Sequence, residues 1–416
     1  AEAVEALGHR ANDIASAGIA TQRSSIVCWD RHTGAALSPV ISWQDRRAHE
    51  WLGQFSAHAG EVHRHTGLML SAHYGASKLR WCLDHLPAVA MAERAGRLAM
   101  GPLASFLVFR LLEEKPLLAD PANAARTLLW NIRSLNWDPE LLELFGVAPE
   151  TLPRCVPTRH PFGTLPVKQR RIPLTVATGD QSAALFALGA PQPPAAYINL
   201  GTGAFIQRAF NQAPEVAGLL TGMVYHDADR TVFVLEGTVN GAGAALQWAE
   251  REWGLENIPA HLPEWLARAG DIPLFLNGVG GLGAPFWRAE FPSRLIGAGA
   301  PWQKVVAVAE SVVFLLQVNL AAMEKIAPAL ERIVASGGLA RLDGLCQRLA
   351  DLSGLPVHRP VAHEATARGL AYLLAGFPDP WEEAPPGVKF TPQQNHPLVR
   401  RYQLWRSKME GALANR

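Results

Sequence analysis

A chain of 416 residues exceeds one ordinary hydrophobic core, so two domains are expected. Hydrophobic residues make up 49% and charged residues 18%, a globular balance that excludes a disordered chain. Lys+Arg is 38 against Asp+Glu 37, a net charge of +1, which argues against a nucleic-acid partner and leaves only a local site for an anionic substrate.

Ala1 lies inside a predicted helix (residues 1–7) with no signal-peptide pattern before the fold, and the start reads as a cut end. Strands are predicted over residues 14–20 and 24–29, with Gln22 and Arg23 between them, then a turn at 30–34 and an extended stretch at 37–43. Helices follow at 45–57, 77–85 and 102–113. Asp138-Pro139 makes a helix start, with Asp at the cap and Pro at the first helical position. Residues 154–171, rich in Pro and basic side chains, read as a surface connection. A strand over 173–177 runs through Gly179-Asp180-Gln181 into a helix at 182–188.

Pro191, Pro193 and Pro194 mark a domain boundary, dividing the chain into 1–190 and 191–416. Beyond it come strands at 197–200, 204–210, 231–235, 333–336 and 357–359. Helices are predicted at 239–252, 302–326, 364–374 and 397–413. The recurrence of strands that end in Gly or Asp and feed helices predicts an α/β fold with ligands at the carboxyl ends of the strands.

The four cysteines, Cys28, Cys82, Cys155 and Cys346, form no CxxC pair, so a zinc site is not expected; they read as reduced thiols of a cytoplasmic protein. No apolar run is expected to span a bilayer. The most apolar, residues 305–320, is interrupted by Glu310, Ser311 and Gln317 and reads as a buried helix. His63 and His65 read as solvated, with nothing nearby to complete a metal site.

Several short patterns admit two readings. Asp180 either accepts a proton in a cleft or caps its helix. Gly201-Thr202-Gly203 is a phosphate-binding turn or a hairpin turn. Ser336-Gly337-Gly338 accommodates a nucleotide or is a bare helix entry. At Gln22-Arg23 and Trp43-Gln44-Asp45-Arg46-Arg47 an Arg fork binds substrate hydroxyls with Trp43 as a pocket wall, or Arg46 and Arg47 are surface charge and Trp43 is core. Gly278-Val279-Gly280-Gly281-Leu282-Gly283 fits GxGxxG, but Pro285 and two aromatics follow, so it reads as a closely packed loop.

The order of these patterns carries a resemblance. Gly18-Ile19-Ala20-Thr21-Gln22-Arg23, Trp43-Gln44-Asp45-Arg46-Arg47, Thr66-Gly67-Leu68, Lys78-Leu79-Arg80-Trp81, Asn123-Ala124-Ala125-Arg126-Thr127-Leu128-Leu129, Gly179-Asp180-Gln181, Gly201-Thr202-Gly203, Gly281-Leu282-Gly283-Ala284-Pro285-Phe286-Trp287 and Ser336-Gly337-Gly338 come in the order found in FGGY carbohydrate kinases. Over essentially the whole chain the sequence resembles that family, and within it the glycerol kinases. The resemblance implies two ribonuclease-H-like domains of the actin-like ATPase fold closing on ATP, Mg2+ and a polyol or sugar. Residues 1–190 would be the substrate-binding domain and 191–416 the nucleotide-binding domain. Asp180 matches the catalytic base and the Mg2+ contact. Arg23, Ser24, Trp43, His73, Asp180, Gln181 and Phe205 match positions around the polyol. Gly201, Thr202, Gly203, Gly243, Gln247, Gly338 and Leu342 match positions at the nucleotide. A homo-oligomer is also implied.

Departures from the family pattern are specific. Ser24 stands where the family has Glu, His73 where it has Tyr, and Leu342 where it has Asn; Gly75 and Cys82 depart from a helix signature that Lys78, Trp81 and Asp84 keep. The family's opening Asp-x-Gly-Thr loop has no counterpart from Ala1 onward, so the first domain is expected to be incomplete at its amino end and to present a sheet edge. Two functions follow: an ATP-dependent polyol or sugar kinase, or a non-catalytic protein that keeps the cleft of one.

Overall fold

Two sheets of unequal size organise the chain in the computed structural model, which describes residues 2–268, 270–361, 364–381 and 387–414. The smaller sheet has three strands in the order Ala17–Thr21, Arg170–Gly179, Arg159–Val167. The first two run parallel, with Thr21 opposite Gly179. Among the described strands Ala17–Thr21 forms an edge, and Leu370 from the helix Ala365–Leu374 packs against it at Gly18. The larger sheet has seven strands in the order Leu220–His226, Thr231–Val239, Ala204–Phe210, Ala195–Leu200, Arg332–Ser336, Val357–Arg359, Val388–Phe390. Ala195–Leu200, Arg332–Ser336 and Val357–Arg359 are mutually parallel, and the outer strands are antiparallel.

The helix Pro301–Met323 buries nearly its whole length behind the larger sheet, where Val305, Val308, Val312, Phe314 and Leu316 join the largest core. It is long and apolar enough to cross a bilayer, with a mean hydropathy of 2.0, which corrects the expectation that no run reaches that length. Its most apolar window is 83% buried inside the protein. A second core, built on Ile26, Cys28, Leu79, Leu83 and Phe145, packs the strands Ile26–Asp30 and Leu98–Pro102 against the helices Gly75–His85 and Pro139–Phe145. A third cluster joins the halves: Val176 and Phe186 pack with Val224, Val234 and Tyr372.

Several local expectations are revised. Residues 154–171 are not a surface connection: they contain the strand Arg159–Val167, paired across six register positions with Arg170–Gly179. The helix expected at 45–57 breaks into a turn, a short helix His49–Leu52 and a 3-10 turn Gly53–His58, because Asp45 folds back onto the Arg47 backbone and side chain. Among the described residues the stretch 37–43 makes one isolated bridge, from Ile41 to Ile26, and Ala36 just before it bridges to Trp29. The helix placed at 182–188 begins at Asp180 and ends at Ala184. The GxGxxG segment is a loop, as expected: added side-chain carbons at Gly278 and Gly283 would lie 2.0 Å from Phe291 O and 2.3 Å from Thr238 Oγ1. Strands Leu98–Pro102, Leu220–His226 and Val388–Phe390 were not signalled, since Gly and Pro interrupt the first and tertiary pairing alone defines the others.

Candidate active site

The parallel register of the smaller sheet creates the site. Because Thr21 pairs with Gly179, Arg23 and Asp180 leave neighbouring strand ends together. Gly179 is required there, since an added Cβ would lie 2.5 Å from both Cγ and Cδ of Arg23. Arg23 Nη2 donates to Gln181 Oε1 at 2.6 Å. Asp180 is not the helix cap; Gly179 holds that position, and Asp180 Oδ1 accepts only the Gln181 backbone N–H, at 2.7 Å. Among the described residues, Asp180 Oδ2 takes no hydrogen bond.

Asp180, Gln181, Phe205 and Gln207 face a cavity of about 400 Å³ whose far wall includes Asn199, Ser336 and Gly337. The cavity thus brings the end of the smaller sheet against the ends of strands Ala195–Leu200 and Arg332–Ser336, which Asn199 Nδ2 and Ser336 Oγ tie together at 3.2 Å. Phe205, on the strand Ala204–Phe210, is 37% exposed, unusual for a large apolar side chain and consistent with a wall that meets a ligand.

Behind Gln181 lies a buried charge cluster. Arg126 Nη2 donates to Glu236 Oε2 at 2.9 Å, Gln207 Nε2 donates to Oε1 at 3.2 Å, and Arg23 Nη1 stands 3.7 Å from Oε1. Burial works to raise the Glu236 carboxyl, but Arg126 and Arg23 outweigh it and hold the group below its ordinary value. Burial, reinforced by Arg126, lowers Arg23 to about 10, against the pull of Glu236 and Asp180.

Ser24 has a left-handed backbone (φ 62°), and its buried Oγ has no hydrogen-bond partner among the described residues. Its carbonyl, with that of His73, accepts from Lys78 Nζ at 3.0 and 2.7 Å. Burial lowers Lys78 to about 8, with Asp45 opposing. His73 meets Trp43 edge-on at 5.7 Å, and burial followed by Arg126, Lys78, Arg46 and Arg23 lowers its imidazole to about 2. His73 is therefore neutral at ordinary pH. Arg23, Ser24, Trp43, His73, Gln181 and Asp180 thus form one connected neighbourhood.

The candidate nucleotide residues form a second group. Gly201-Thr202-Gly203 turns between strands Ala195–Leu200 and Ala204–Phe210, closed by Gly201 N to Gly203 O at 2.9 Å, so it is a hairpin turn in geometry. The start of helix Gly243–Trp253 rests on it: Gly243 N donates to Gly201 O at 3.0 Å and Ala244 N to Thr202 O at 2.9 Å. Gln247 lies exposed on the next turn of that helix, and Thr202 is exposed as well. Gly338 is exposed, with nothing within 4 Å of an added Cβ. Leu342 is half-buried and packs on the core, at the start of helix Asp343–Ser353. Of these residues none lines the cavity; only their neighbours Asn199, Ser336 and Gly337 do.

Sequence reasoning assigned no site role to Arg126, Glu236 or Gln207. One signal was available: Glu236 is the lone acid in the apolar strand Thr231–Val239, and a buried acid requires a partner. The two histidines also differ from expectation. His63 Nδ1 contacts Leu68 O at 3.2 Å, and His65 Nδ1 contacts Asp138 Oδ2 at 2.8 Å. Glu61, His65 and Glu140 place ligand atoms within 4.8 Å of one another, which corrects the expectation that nothing near His65 could complete a metal-binding group.

Comparison with known proteins accounts for this architecture. Residues 1–187 match the N-terminal domain of the FGGY family of carbohydrate kinases, and residues 196–376 match its C-terminal domain. The chain is 36% identical over 399 residues to a glycerol kinase of Trichlorobacter lovleyi, an alignment covering 92% of this chain and 79% of that one. It is 34% identical over 396 residues to glycerol kinase 1 of Pseudomonas aeruginosa, covering 90% and 79%. The solved glycerol kinase of Plasmodium falciparum with ADP superposes with a TM-score of 0.90 at 22% identity, covering all of this chain and 87% of that one. A sugar kinase of Brucella ovis, described as acting on xylulose, superposes with a TM-score of 0.86 at 21% identity, covering 99% and 87%. The order of motifs, the two-sheet actin-like fold and both domain matches give one conclusion: the chain belongs to the FGGY family of carbohydrate kinases, enzymes that use ATP to phosphorylate a polyol or sugar.

Proposed function

We propose that the protein transfers the terminal phosphoryl group of ATP directly to a hydroxyl of a small polyol or sugar, with Asp180 accepting the hydroxyl proton. The observation that carries this reading is the placement of Asp180: a carboxylate at a strand end, with one oxygen unengaged among the described residues, in the cavity that also meets Phe205 and Gly337. As the hydroxyl oxygen forms its bond to phosphorus, its proton passes to Asp180 and the bond to the leaving oxygen of ADP breaks. Arg23, Gln181 and Phe205 orient the acceptor, with Trp43, Ser24 and His73 around it. The backbone at Gly201-Thr202-Gly203 receives the phosphates, and Gly243, Gln247, Gly338 and Leu342 surround the remainder of the nucleotide.

Mg2+ fits the donor set: it takes hard oxygens, commonly one or two carboxylates with phosphate oxygens and water, and Asp180 supplies a carboxylate in the cavity. Bound there it would neutralise phosphate charge. Residues 1–190 would carry the substrate and 191–416 the nucleotide. The four free thiols suit a reducing compartment such as the cytoplasm, and the near-zero net charge suits neither nucleic acid nor an anionic membrane surface. A homo-oligomer is proposed on the family resemblance.

The test is ADP release and product isolation with ATP, Mg2+ and a panel of polyols and sugars from three carbons upward. A phosphate ester from at least one acceptor is expected. Acceptor binding by calorimetry with no product across the panel would favour the non-catalytic protein instead.

A further inference from the structure

The cavity adjoins a cluster whose positive charge exceeds its negative charge. Arg23, Arg46, Lys78 and Arg126 all bear on His73, which is itself neutral. Against these four cations stand Glu236 and Asp180, both of which act on Arg23, and Glu364, which lines the cavity together with Asp180. Asp45, the next acid toward Lys78, is engaged by both Nε and Nη2 of Arg47.

Hydrogen bonding tells the same story. Two guanidinium groups share the single Glu236 carboxylate, and they are 5% and 8% exposed. Among the described residues, Arg23 Nη1, Arg126 Nε and Arg126 Nη1 are buried donors without a hydrogen-bond partner, and the hydroxyl of Ser24, the residue after Arg23, is also buried and unpartnered. Buried charged donors without acceptors are costly, and an anion with two oxygens is the group that satisfies a guanidinium fork. Gln181, which occupies Arg23 Nη2, itself lines the cavity, so the guanidinium stands one side chain behind the substrate space. A neutral polyol would bring oxygens to this wall but no charge.

Resting on the kinase function proposed above and narrowing its substrate class, we propose that the acceptor is a polyhydroxy acid of the aldonate type, whose carboxylate pairs with Arg23 beside Ser24 while a hydroxyl further along its chain faces Asp180. Ser24 makes this pairing available because its short neutral side chain offers Arg23 no competing charge. An acid at position 24 would occupy the same guanidinium.

The test uses the whole chain and matched pairs that differ only in the terminal group: glycerol and glycerate, erythritol and erythronate, xylitol and xylonate. Initial rates are measured with ATP and Mg2+, and binding of the same pairs is measured by calorimetry without nucleotide. The acid of at least one pair should exceed its polyol by about ten- to a hundredfold in kcat/KM, the increment of one charge-assisted hydrogen-bonded pair. Ser24→Asp, which suits the left-handed backbone at this position, should reverse that preference. Ser24→Ala, which removes the hydroxyl without adding charge, should keep it, and thermal melting of both variants checks that they fold. Wild-type protein that uses the polyol of every pair as well as or better than the acid overturns the proposal, as does a folded Ser24→Asp variant with unchanged preference. If no compound is phosphorylated, the kinase function fails, and the calorimetric pairs decide this proposal alone: tighter binding of acids supports it and equal binding overturns it.

Discussion

Replacing Glu236 by Gln keeps the side chain's size and removes one charge. In the wild type the carboxylate accepts from Arg126 at 2.9 Å and Gln207 at 3.2 Å and faces Arg23 at 3.7 Å, with only 3% of its side chain exposed. The amide leaves two buried guanidinium groups without their shared counter-charge. Removing one partner of a buried ion pair costs about 3–5 kcal/mol. With a melting shift of about 2–4 °C per kcal/mol for a folding unit of 150–250 residues, the variant should melt about 6–20 °C lower at pH 7. Calorimetric melting and urea unfolding measure this. The sign of the pH dependence is also set. Glu236 is held below its ordinary carboxyl value of 4.5, so its contribution is fully present above pH 4.5 and is lost as pH falls through the lower folded-state value. The gap between wild type and variant should therefore narrow on acidification below pH 4.5. A melting change under about 2 °C at pH 7, or a gap that widens in acid, would refute the view that this carboxylate holds the two arginines against each other.

Three further perturbations probe other parts of the molecule. Asp180→Asn should lower turnover by about 10²–10⁴-fold, the range for loss of a general base, while calorimetry shows acceptor affinity within a few-fold of wild type; retained turnover removes Asp180 from the base role. Gly369→Ala places a Cβ 1.7 Å from Ala183 O, forcing the helix Ala365–Leu374 away from the helix that Asp180 opens. Overpacking of this kind costs about 1–3 kcal/mol, so lower melting temperature and lower turnover are expected together, and an unchanged melting curve counts against that close contact. Lys78→Met deletes the hydrogen bonds to the Ser24 and His73 carbonyls. Because burial lowers Lys78 from 10.5 to about 8, the unfolded chain binds a proton between those values that the folded chain has released, so wild-type stability gains from this group as pH rises from about 8 to 10.5. The Met variant should lack that gain in urea titrations across the same range, and an identical profile would show that Lys78 does not titrate on folding.

The strands that lead into Gly179-Asp180-Gln181 and Gly201-Thr202-Gly203 were legible because their signals are local: a short apolar run, then glycine or aspartate where the chain must turn. Arg23, Asp180 and Gln181 were singled out for the same reason, by position at a strand end and by the order of motifs. Local signals failed where pairing is remote. Leu220–His226 contains Gly222 and reads poorly as a strand, yet it is held by Thr231–Val239 along its length. The helix expected at 45–57 was broken by an Asp45–Arg47 contact that no periodicity reveals. The charge cluster is the clearest case. Arg126 and Glu236 are 110 residues apart, and neither announces the other. By itself the sequence determined the α/β pattern, the family and the strand-end residues that face a cleft, since these depend on neighbours along the chain. Only the tertiary structure decided that Asp180 is free rather than capping its helix, and that Arg23 and Arg126 share one carboxylate, because both outcomes depend on which distant groups a fold with little water inside brings into reach.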